Sequence, residues 1–201
     1  MKVKKPKFSL KQHKDEFLEL VKETDHKTLA IWAIDCTERV LPYFEVKYPE
    51  DHRLRNAIET LQIWINTGGF KMAVIRKASL ASHAAARDVG EDNAARSAAR
   101  AAGQAVATAH VPTHSIGAAI YVLQAIHRAT NSSDADAAVD IERDWQYQHL
   151  FELVEKSQQL NSKSIPMEEK LIAPCGMNCG VCVSYLAMKN DLKNKGFGKK
   201  Y

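Results

Sequence analysis

The chain has 201 residues, of which 45% are hydrophobic and 26% charged, and a formal net charge of +4. That length can bury a substantial core, and no run of about 18 apolar residues offers a membrane span. The basicity sits at the ends. Residues 1–7 carry four lysines, and residues 189–201 carry five lysines and one aspartate, leaving 19 basic against 23 acidic residues in the body; nucleic-acid binding, which needs a basic face on the body, is not expected.

In chain order the sequence reads as helix after helix. Ser9 offers an N-cap for a first helix over 10–23, with Phe17, Leu20 and Val21 on one side. Asp25 offers a cap for the second. There Leu29, Trp32, Ala33, Cys36 and Val40 follow an i, i+3, i+4, i+7, i+11 stripe, which makes Cys36 a small buried hydrophobe rather than a reactive thiol. Pro42 is expected to end or kink this helix, with Tyr43, Phe44 and Tyr48 packing nearby.

Asp51 opens a third helix with a stripe of Leu54, Ala57, Ile58, Leu61 and Ile65, flanked by Trp64 and stopped by Gly68-Gly69. Further helices are predicted over 71–89, 92–111, 113–130 and 135–158, separated by Gly90, Pro112 and Asn131-Ser-Ser-Asp134. No alternating strand pattern and no long repeat period is visible. The expected fold is all-α, a single bundle of six or seven helices. It spans 8–158, followed by a linker at 159–174 and a short cysteine-bearing appendage at 175–201. On helix 7, Asp140, Glu142, Arg143 and Asp144 read as a solvated face.

Residues 78–119 are crowded with alanine, which lets helix backbones approach closely. The helix over 92–111 should therefore be central, and its polar residues are exceptional. Arg96, Arg100, Gly103, Ala107 and His110 lie along one face, with His83 on the preceding helix and His114 opening the next. One reading is an anion or carboxylate site with the arginines as forked donors. A second is a metal site on His83, His110 and His114, although Pro112 breaks the helix that this spacing requires. A third has His110 and His114 bonding backbone groups at helix ends, and the arginines paired with Asp88, Glu91 or Asp92.

The cysteine cluster, Cys175-Gly-Met-Asn-Cys179-Gly-Val-Cys182, carries thiolates at ligand spacing. Zinc is the cofactor it suggests, with iron–sulfur as the other choice. Three thiolates leave a tetrahedral site incomplete. Water, Asp191 or a second chain could complete it, and the last would make the site a dimer staple. Radical enzymes using S-adenosylmethionine share the spacing, but they need a large α/β barrel after it. Packing of the segment as a short helix is the remaining alternative. No phosphate-binding glycine loop, Gly-x-Ser-x-Gly elbow or paired carboxylates suggest catalysis. No apolar signal core follows the basic N-terminus, so the expected location is the cytoplasm, with thiols reduced.

Two resemblances follow. The stretch Arg96-Ser-Ala-Ala-Arg100-Ala-Ala-Gly103-Gln-Ala-Val-Ala-Thr-Ala-His110, with His114 and Tyr121, resembles a helical bacterial family of immunity proteins associated with polymorphic toxin systems. The similarity covers about 8–158. It implies an all-α fold and a binding protein that neutralises a toxin or another protein without catalysis, on a surface with an exposed apolar or strongly acidic patch. The segment Cys175 to Tyr185 is similar to the start of a small cysteine-rich domain family opening Cys-Gly-x-x-Cys-x-x-Cys. That family carries further ligands which this sequence lacks, so the segment is expected to be a truncated form. The alternative function is a metal-dependent or small-anion-binding enzyme or sensor that uses the histidine corner or the cysteine cluster.

Overall fold

The computed structural model describes residue 8 and residues 15–162. The chain divides into two compact units, Met1–Ser157 and Gln158–Tyr201, and the architecture below is that of the first. Eight helices and no strand occur among the described residues: α1 (Asp15–Glu23), α2 (His26–Glu38), α3 (Pro42–Glu45), α4 (Arg53–Thr67), α5 (Met72–Asp88), α6 (Ala94–Ala107), α7 (His114–Ala129) and α8 (Ala135–Ser162). The fold is all-α, as the periodicity predicts. Ser9 lies outside the described residues, and so do Cys175, Cys179 and Cys182.

Local chemistry sets the helix ends. Asp25 caps α2 by accepting from the Thr28 backbone N–H at 3.0 Å and the Thr28 hydroxyl at 2.5 Å. Asn93 caps α6 in the same way, accepting from the Arg96 N–H at 3.1 Å. Gly68 closes α4 at φ 67°, in the left-handed region where a side chain is strained. The one helix beyond the expected number is α3. It starts on Pro42 at its N1 position, where the missing N–H costs nothing, so Pro42 begins a helix three residues after α2 has stopped.

The expected stripe of α2 is buried in full, Val40 included, and Trp32 sits at its centre against the Phe17 ring, 5.8 Å between centroids. Trp32 also donates its indole N–H to the Gln146 carbonyl at 2.9 Å, which fixes α8 on α2. The stripe of α4 is buried too, and Trp64, placed at its flank from sequence, is buried with it.

Helix α6 is the centre of the bundle, packing against α2, α3, α4, α5 and α7. Ala95, Ala98, Ala99, Ala101, Ala102 and Ala105 are all buried. Five neighbours can surround one helix only if its side chains are short enough for close approach. On α5, the Ser79 hydroxyl donates to the Gly103 carbonyl at 2.8 Å, a side-chain contact onto backbone that marks how near the two helices lie.

The solvated face expected on α8 is corrected. Glu142 and Gln146, one turn apart, are buried. Glu142 accepts a forked pair from Arg39, the C-cap of α2, and Gln146 donates to the Ala119 carbonyl of α7 at 3.3 Å. Burying this carboxylate is possible because Arg39 supplies the opposite charge. Asp140 pairs with Arg143 at 2.6 Å, and Asp144 is exposed.

Candidate functional site

Arg96, Arg100, His110 and His114 fall along the seam between α6 and α7, which run antiparallel, and His83 packs on α6 from α5. Gln104 faces His114 and Gly117, and Ser97 faces Gln124 and Arg128. The histidine end and the arginine end of this seam have different chemistry.

At the histidine end, His83 of α5 lies flat on Gly103 of α6. A Cβ built there would meet the imidazole at 2.7 Å. The His83 Nδ1 atom is buried and has no hydrogen-bond partner among the described residues. Burial pushes its pKa below the ordinary histidine value, and the positive charges of Arg100 and Arg87, then His114, add to that. His114 donates from Nδ1 to the Gln104 amide oxygen at 2.7 Å, and the Gln104 side chain lies over Gly117. The His114 pKa is also lowered, first by burial and then by His110, whose ring centroid is 5.1 Å away. His110 is exposed.

Among the described residues, neither the His110 nor the His114 side chain bonds a backbone group in the way one alternative supposed. That role belongs to His26, which the sequence reading did not single out. Its Nε2 donates to the Thr108 carbonyl at the end of α6 at 2.5 Å, and its ring leans on Trp64. No local sequence pattern marks this role, because Thr108 lies 82 positions away. Among the described residues no group of three His, Cys, Asp or Glu side chains could hold a metal ion. The histidine corner therefore does not form the metal set that one reading placed on His83, His110 and His114. Cys36 is buried, and its thiol pKa is pushed well up by burial, then by Glu142 and Asp35, so it remains a neutral packing group.

At the arginine end, Arg96 and Arg100 meet Tyr121, Gln124 and Arg128 of α7, with Asp92, around a groove of about 280 Å³. Asp92 is the sole carboxylate of the lining. It pairs with Arg96 at 3.4 Å and with Arg128 at 3.1 Å. Asp88, offered as a partner for these arginines, instead takes Arg53 of α4 at 2.7 Å. The lining is rich in donors that hold an oxyanion and contains no serine, cysteine or histidine.

A second surface lies at the corner of α4 and α5. Thr60, Ile63, Trp64, Phe70, Lys71, Val74 and Ile75 line a groove of about 360 Å³, and Ile63, Phe70 and Val74 are exposed large apolar side chains. No described helix is long and apolar enough to cross a membrane.

This helical bundle, with polar seams and without strands among its described residues, defines an all-α scaffold. The family profile described as "Imm-5 like putative immunity protein" matches residues 19–153. The chain belongs to that family. Comparison with curated proteins and with solved structures finds no match.

Proposed function

We propose that the protein neutralises a toxin by surface recognition, without catalysis of its own. The observation that carries this reading is the apolar corner of α4 and α5, on a chain of the immunity family. Ile63 keeps 61% of its surface exposed, and Phe70 and Val74 flank it. Stable recognition concentrates its energy in a few large side chains that lose water on binding. An aromatic and two branched aliphatic groups around a groove supply such anchors, and Lys71 at the edge supplies a charge for register.

The test is co-expression with each toxin candidate found encoded beside the gene. The full chain should restore growth against one of them and co-purify with it. Ile63→Asp with Phe70→Ala should abolish both while leaving the melting curve unchanged, because both side chains are exposed. Failure to protect against any of them, or full protection by the double variant, would overturn the reading.

A further inference from the structure

We propose that the groove between α6 and α7 binds a compact, multiply charged oxyanion, either a phosphate or a dicarboxylate. Its basis is a charge imbalance in a confined space. Arg96, Arg100 and Arg128 line about 280 Å³ together with one carboxylate, Asp92. Arg128 is held firmly, since it donates to Ser97 Oγ at 2.7 Å as well as to Asp92. Arg100 sits midway along the seam and has no carboxylate partner among the described residues. Its electrostatic neighbour among the described residues is His83, whose pKa is lowered first by burial and then by the Arg100 charge.

Arg96 and Arg128 share Asp92, while the half-buried Arg100 carries a positive charge that no carboxylate meets among the described residues. Such a charge is costly unless an anion meets it. Guanidinium forks match the planar carboxylate and the phosphate face in a way that a single ammonium does not.

The neutral groups point to the same ligand chemistry. Ser97 donates to the Gln124 amide oxygen at 3.1 Å, which occupies that acceptor and leaves the amide N–H groups to donate. Tyr121 adds a hydroxyl to the lining. Asp92 shows what the arginines already accept, because it is a carboxylate lying between Arg96 and Arg128. Its side chain remains 72% exposed and its contacts are 3.1 and 3.4 Å, so an incoming anion can push it aside. The groove shares no lining residue with the apolar corner of α4 and α5, so it stands independently of the toxin reading.

The experiment is calorimetric titration of the full chain with inorganic phosphate and, separately, with succinate, both at constant ionic strength in chloride. At least one should bind saturably with Kd below about 1 mM. Arg100→Gln should weaken it about tenfold or more, with its unliganded melting temperature unchanged. Asp92→Asn should tighten it severalfold, because a competing carboxylate is removed, whereas a purely structural Asp92 would give the opposite sign. Absence of saturable binding for both anions overturns the site, as does unchanged affinity in Arg100→Gln or weaker binding in Asp92→Asn. Phosphate binding without succinate binding identifies the phosphate class, and the converse identifies the dicarboxylate class.

Discussion

Arg39, the C-cap of α2, grips Glu142 of α8 with a fork, Nε at 3.0 Å and Nη2 at 2.8 Å from the same carboxylate oxygen, while its guanidinium lies 3.9 Å above the Trp145 ring. The two ends of this pair differ in environment: the Glu142 side chain is 3% exposed and that of Arg39 41%. Removing the acid leaves a cation that still reaches water and still stacks on the indole. Removing the base leaves a carboxylate with little water. Arg39→Met should therefore cost more than Glu142→Met. We expect about 3 kcal/mol against about 1–2 kcal/mol, with the double variant near the milder single one. Urea unfolding of the three variants checks the order; equal costs would contradict the asymmetry.

Gly103 is predicted to reverse its sign with its neighbour. In an otherwise unchanged chain, Gly103→Ala forces a Cβ into the His83 ring at 2.7 Å and should destabilise by about 1–2 kcal/mol. With His83→Ala already present, the obstacle is gone, and Gly103→Ala should stabilise by about 1 kcal/mol, the ordinary helix preference of alanine. A double-mutant cycle by chemical unfolding reads both numbers.

Acid should weaken the fold through two histidines. His83 and His114 both have folded pKa values below the ordinary 6.5, by burial first and by neighbouring positive charge second. The unfolded chain then binds protons that the folded chain refuses. Stability is full above about 6.5, falls as pH drops below it, and levels off once pH passes the lower folded values. Thermal melting across pH 7 to 5 should show this slope, and His83→Gln should reduce it. At Asp25, burial raises the pKa, but hydrogen bonds from Thr28 and the backbone outweigh it and lower the net value. A lowered carboxylate loses its stabilising share as pH falls through its folded value, below the ordinary 3.8, so that loss comes later in the titration.

Ala102 tests the crowding around α6. It is fully buried on the helix that five others touch. Ala102→Leu should destabilise by about 3 kcal/mol, because the added volume must be accommodated between closely packed helices. The same change at exposed Ala73 should cost almost nothing. Comparable melting temperatures for the two variants would show that α6 is not closely packed.

The apolar stripes made the helices legible, because burial at i, i+3, i+4 spacing is a local pattern: Leu29 to Val40 and Leu54 to Ile65 were readable as they stand. The alanine content of α6 likewise announced a central helix. The pairings across helices were not legible. Glu142 looks like any residue of an acidic run until Arg39 arrives from 103 positions away, and His26 looks like a helix start until Thr108 presents its carbonyl. Arg96 and Arg100 were visible as unusual, but Arg128, Tyr121 and Gln124, which face them, follow from the antiparallel register of α6 and α7. Only the contacts across the seam fix that register.

The alanines of α6 also govern how the molecule opens. A helix with so little side-chain area cannot persist once its neighbours depart, and none of the five can leave without uncovering it. Amide protons from Ala98 to Ala105 should accordingly be the slowest in the chain to exchange with solvent deuterium, at a rate set by complete unfolding, while α1 and the end of α8 exchange through local fraying.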